Sequence, residues 1–162
     1  MSSLPLLQSP EAVDDWLTRA GWHPGRRCDD LAAAAVASTI EEFGLDGGGV
    51  LEVNEPALRF VREHIGLETR LGANPRHIVY FSPLLTYKGA SEDIQELADA
   101  LGKKVFPVAY DRDDGAMFLV DETGRFFYQH WSGEYFLGYD KHAAFVAYSG
   151  HPIPFADEHY TW

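Results

Sequence analysis

Val105-Phe106-Pro107-Val108-Ala109-Tyr110 is where the chain stops reading as helix and starts reading as sheet. Upstream, apolar residues recur at three- and four-residue spacing. From Val105 onward they fall in short aliphatic and aromatic runs bounded by turn residues. The runs predict strands at 105–110, 116–121 and 125–130 and a shorter one at 135–137. Asp113-Asp114-Gly115 and Glu122-Thr123-Gly124 separate them as hairpin turns, where glycine supplies the backbone freedom.

Working upstream, Ile94, Leu97, Ala98 and Leu101 form the stripe of a helix capped by Ser91 and ended by Gly102. Ile78-Val79-Tyr80-Phe81 reads as a strand, continuing from an extended piece near Leu67. Pro56 opens a helix after Asn54 or Glu55, with Gly66 as its stop. Gly47-Gly48-Gly49 is a link into Val50-Leu51-Glu52-Val53, and it lacks the lysine and spacing of a phosphate-binding loop. Asp29 or Asp30 caps a helix through Leu31, Ala35, Ile40 and Phe43, closed by Gly44. The first helix takes Ser9 as cap and Pro10 as first residue, and runs through Val13, Trp16, Leu17 and Ala20 to Gly21. Downstream, Asp140 caps a last helix over Ala143–Tyr148, and a proline- and aromatic-rich tail follows.

Helices gathered before residue 105 and a meander of strands after it predict an α+β domain. Its sheet is mainly antiparallel, of about five to six strands, with helices packed on one face. Residues 1–162 read as a single domain with a core at about 9–150 and a tail at 151–162.

An apolar fraction of 46% and an aromatic fraction of 14% exclude a disordered chain. Cys28 is the only cysteine, so no intramolecular disulfide forms, and it reads as a structural thiol of a reducing compartment. Met1–Leu7 lacks a basic segment ahead of an apolar run, and no run nears the roughly 20 residues of a membrane span. A cytoplasmic location is the expectation.

The net charge is −12 and is spread evenly: residues 1–80 carry 7 basic and 12 acidic side chains, residues 81–162 carry 6 and 13. Such a field repels nucleic-acid phosphates and attracts a basic partner, although acidity also serves solubility alone. Arg26-Arg27 and Lys103-Lys104 are isolated basic doublets without interleaved aromatics, so Arg26 and Arg27 are expected to pair with Asp29, Asp30 or other carboxylates.

No spacing of reactive residues points to catalysis, a cofactor or a metal. The seven histidines show no paired ligand motif, and the cluster of His151, Asp157 and His159 lies in the tail. His64, beside apolar helix positions, reads as a satisfied and partly buried residue. Glu92 and Glu96 share a helix face and read as solvated. Asp111, Asp113 and Asp114 lack the closing glutamate of a calcium loop and read as an acidic hairpin.

What remains is surface for a protein partner. Aromatic side chains dominate binding hot spots because they bring large area with few rotatable bonds. Asp111, Asp113, Asp114, Trp131, Glu134, Tyr135 and Tyr139 combine aromatic area with negative charge around the late strands. An exposed hairpin tip and an exposed Trp131–Tyr135 turn are the candidate binding residues.

Several motifs recur in a telling order. Gly21-Trp22-His23-Pro24-Gly25-Arg26 follows the first helix. Pro56-Ala57-Leu58-Arg59-Phe60-Val61 leads to His64-Ile65-Gly66-Leu67. Leu101-Gly102 precedes Pro107-Val108-Ala109, then come Asp121 to Tyr128 and Leu137-Gly138. Together they resemble the SUKH superfamily of bacterial immunity proteins, most closely its third subfamily, from about Val13 to Gly150. Ala109 stands in place of a glycine in that pattern, and His64-Ile65 in place of Phe-Gly. The resemblance implies a SUKH-like fold and a cytoplasmic antidote that binds a cognate toxin domain, often a nuclease. It implies no catalytic residue and no cofactor. Related domains outside toxin systems bind other proteins, so a regulatory interaction module is the alternative.

Overall fold

Three helices start where a side chain can reach the backbone three residues on. In a computed structural model that describes residues 7–70 and 78–150, Ser9 accepts from the Ala12 N–H at 3.1 Å and opens α1, Pro10–Arg19. Asn54 accepts from Ala57 at 2.9 Å and opens α3, Glu55–His64, while its amide donates to the Val120 carbonyl at 3.0 Å. Asp140 accepts from Ala143 at 2.8 Å and opens α5, Lys141–Tyr148. Each cap removes an orphan donor from a first turn.

The other two helices depart from the sequence expectation. α2, Asp29–Leu45, runs past Gly44, and its N-cap is Cys28 without a side-chain bond. Asp29 is occupied by the Arg27 guanidinium at 2.7 Å. Its buried face is Ala32, Val36, Thr39 and Phe43, and Leu31 is 61% exposed. α4, Ala90–Leu101, is capped by Gly89 in a left-handed conformation rather than by Ser91. Its first N–H groups go to a distant carboxylate: Asp46, just past α2, accepts from Gly89 and Ser91 at 2.9 Å each. These bonds hold the Asp46 carboxyl below its usual range. Residues 50–53 form no strand; they pass as loop with Leu51 buried.

The strands are β1 Glu68–Arg70, β2 Ile78–Tyr80, β3 Val105–Asp111, β4 Ala116–Asp121, β5 Phe126–His130 and β6 Gly133–Gly138. They pair antiparallel in chain order, one meander of six strands. The α+β class and the late antiparallel meander are as expected. Arg125 stays in the turn, and β6 is longer than its expected 135–137.

Phe126 on β5 faces α3 and α5, and Phe118 on β4 faces α5. Phe145 of α5 meets Trp16 at 5.2 Å, Phe118 at 5.5 Å and Phe81 at 5.7 Å, and Phe60 of α3 meets Phe126 at 5.2 Å. The second face is closed too: Met117, Leu119 and Phe127 are fully buried, and Tyr87, just ahead of α4, lies against Gln129.

The Gly21–Arg27 turn is a structural joint. Gly21 has φ +112°, in the region that favours glycine, and its turn places Trp22 beside α5. The Lys141 ammonium lies 4.1 Å from the Trp22 ring centre and 3.2 Å from His64 Nε2, to which it donates. Among the described residues, Arg26 pairs with no carboxylate. It donates to the Glu63 and Ile65 carbonyls at 3.0 and 2.7 Å, satisfying the end of α3.

His64 is more deeply buried than the sequence implied, at 1% exposure, with Nδ1 donating to the Phe60 carbonyl at 2.8 Å. Burial and the neighbouring Lys141 charge push its pKa down to about 3 from 6.5. The unfolded chain therefore takes up this proton below pH 6.5 while the folded chain resists until about pH 3. Stability is intact above pH 6.5 and falls by about 1.4 kcal/mol per pH unit through that window. Wild type is expected to lose about 2 kcal/mol more than a His64→Phe variant between pH 6.5 and 4.5. Parallel urea-unfolding curves for the two proteins over that range would remove the assignment.

Candidate protein-binding site

An antiparallel meander returns every second turn to the same end of the sheet. The β3–β4 turn, 112–115, and the β5–β6 turn, 131–132, therefore lie together, with Gln129 paired to both Met117 and Glu134. Asp113, Asp114, Trp131, Glu134 and Tyr135 are gathered there. Tyr139, 65% exposed, is not among them: it lies past the opposite end of β6, with its ring 5.2 Å from Phe136.

Asp111 corrects the expectation of an exposed hairpin aspartate. It is 0% exposed and faces α5. Its carboxyl accepts from the Tyr148 hydroxyl at 2.5 Å and from the N–H groups of Asp113 and Asp114 at 3.0 and 3.3 Å. These bonds set the hairpin tip and fasten it to α5. Burial raises the Asp111 pKa in spite of them. Burial and the Asp111 charge raise Tyr148 and Tyr128, so both phenols remain hydrogen-bond donors. Tyr128 donates to Asp114 at 3.3 Å.

Asp113 and Asp114 themselves are exposed, and Trp131 is 73% exposed beside the His130 ring at 5.1 Å. His130 and Ser132 are hydrogen-bonded across the turn at 2.6 Å, which holds the loop carrying Trp131. Glu134 and Tyr135 are half-buried. Tyr87 closes the same end, donating to Asp93 of α4 at 2.6 Å and lying within the field of Glu134. Sequence reasoning missed Tyr87 and Asp93, which only the crossing from β2 to α4 brings here.

The site thus offers negative charge and one large exposed ring on a pinned loop. This chemistry suits recognition of a basic surface. Among the described residues, no group of three or more histidine, cysteine or carboxylate side chains is placed to hold a metal ion. His151, Asp157 and His159 lie outside the described residues. Glu92 and Glu96 are exposed on α4, as expected, and Cys28 packs half-buried against the core. No described helix is long and apolar enough to cross a membrane.

The family model described as SUKH-3 immunity protein matches residues 9–148, from the cap of α1 to the last residue of α5. No curated protein and no solved structure matches the chain. The matched span holds every helix and strand of the described residues, and the gathered turns. The chain belongs to the SUKH-3 immunity protein family.

Proposed function

We propose that the protein is a cytoplasmic antidote that neutralises a basic toxin domain, such as a nuclease, by binding it one to one. Membership of an immunity-protein family carries the reading. The charge of −12 and the acidic sheet tip beside Trp131 support a basic partner. A surface of this sign disfavours nucleic acid and would itself mimic phosphate in front of a nuclease site.

Co-expression with the cognate toxin domain, sought in the gene adjacent to this one, tests the reading. Rescue of growth, with a one-to-one complex on gel filtration, is the expected result. Lethality with no complex would overturn it and favour a regulatory module with another protein partner.

The tip contributes chiefly to encounter. Asp113→Lys with Asp114→Lys is expected to slow association about tenfold at low salt, with dissociation little changed. The difference shrinks as salt rises, because exposed charges are screened. Association rates unchanged at low ionic strength would place the contact elsewhere.

A further inference from the structure

α4 turns a single stripe outward: Glu92, Gln95, Glu96 and Asp99, spaced at three and four residues and all exposed. Two clefts flank this stripe, of about 430 and 490 Å³, and both are walled by Gln95 and Asp99. The smaller is lined by Asp46, Glu92, Glu96 and Asp99 with no basic side chain. Lys88 stands near Asp46 but does not line it. The larger has apolar walls of Leu51, Ile94 and Ala98 with Val50 beside them. Lys103 and Lys104 line it as well, alongside Glu52 and Glu122, and Glu52 holds the Lys104 ammonium at 2.7 Å.

Val50 lines the larger cleft and Leu45 directly precedes Asp46 of the smaller one, both with little cover. Leu45 is 81% exposed and Val50 is 83% exposed, more than any other large apolar residue described. Leu45 is the last residue of α2, and the loop that follows it and carries Val50 is fixed at its start. Asp46 is bonded to the start of α4, as above. At Gly48 an added Cβ would stand 2.4 Å from the Phe43 ring and 2.8 Å from the Phe43 carbonyl, so this close return onto α2 requires glycine. An apolar pair held out at the end of a helix and on the loop pinned beside it has already lost part of the freedom that binding would otherwise remove.

We propose that this double cleft grips an amphipathic segment of the toxin, apolar side chains against Val50 and Ala98, lysine or arginine over Asp46 and Glu96. The proposal rests on the immunity reading and extends its footprint from the sheet tip along α4. Charge selects the occupant. A second copy would bring another −12 and a matching acidic wall, whereas a basic segment neutralises the four carboxylates. The grip and the tip separate kinetically: seating apolar groups slows dissociation, while tip charges speed encounter.

The test measures binding to the cognate toxin domain, for wild type, Val50→Asp, Leu45→Ala and Glu92→Lys with Glu96→Lys. All the altered side chains are exposed, and unchanged melting temperatures establish that the variants fold. Val50→Asp is expected to weaken binding at least about tenfold through faster dissociation, and Leu45→Ala about threefold. The double lysine variant loses about tenfold at low salt and less at high salt. Wild-type binding with all three variants indistinguishable from it would overturn this surface and leave the immunity reading standing. No complex with wild type would remove both. A wild-type dimer that Val50→Asp dissociates would assign the cleft to a second copy instead.

Discussion

Replacing Phe145 with alanine is expected to lower the unfolding free energy by about 3–5 kcal/mol, the largest effect of any single core truncation considered. The ring is fully buried and touches rings from four separate parts of the chain: Trp16 of α1, Phe81 after β2, Phe118 of β4 and Phe126 of β5. Neighbours anchored on four elements cannot all move inward, so the cavity stays open and its cost stays high. Phe145→Leu, which refills most of the volume, is expected to cost about 1.5 kcal/mol. Urea midpoints at constant slope read both values. A loss below about 1 kcal/mol for Phe145→Ala would mean that α5 is not the keystone of this core.

The second large effect is at Asp121. Its carboxylate is 0% exposed and accepts from the Thr123 N–H and hydroxyl, the Arg125 N–H and the Arg125 Nε at 2.6 Å. Asp121→Ala leaves those donors without this acceptor and the Arg125 guanidinium, 7% exposed, without its carboxylate. The expected cost is about 3–5 kcal/mol, because buried donors and a buried guanidinium together lose the carboxylate they share. Asp121→Asn retains an oxygen in the same place and is expected to cost less, about 2 kcal/mol. Equal losses for the two variants would show that the turn needs the charge and not only the acceptor. Asp121 and Arg125 belong to the Asp121–Tyr128 motif, and their bonds explain why that motif couples an aspartate to an arginine four residues on.

How much was legible follows from the range of each interaction. Ser9, Asn54 and Asp140 cap their helices through bonds three residues long, so local sequence is enough to find them. The Asp46 cap on α4 spans 43 residues to Gly89, and nothing near Ser91 announces it. The face of α2 was misread because alanines at 32 to 35 give a helix little apolar contrast; packing against α3 and α4 sets its rotation. The late antiparallel meander followed from the short turns, whereas the meeting of the 112–115 and 131–132 turns at one end emerges only from the strand register.

At the candidate site, Asp111 looked like its neighbours Asp113 and Asp114. It differs because it is still in β3, on the face covered by α5, where Tyr148 waits 37 residues away. The role of Arg26 was likewise hidden: its partners are backbone carbonyls at the end of α3, and carbonyls leave no mark in a sequence. The α4 clefts escaped notice for a related reason, since their walls come from residues 46–52, 89–99, 102–105 and 122, brought together by folding alone.

The most direct test of the central reading is a titration of toxin activity. The cognate toxin domain is held at a fixed concentration well above its dissociation constant while this protein is added. Neutralisation by binding predicts a linear fall in activity that reaches its floor at one equivalent, with active toxin recovered when the complex is dissociated. Full activity past one equivalent would contradict it. So would complete loss at a small fraction of an equivalent, which would mark turnover in place of binding.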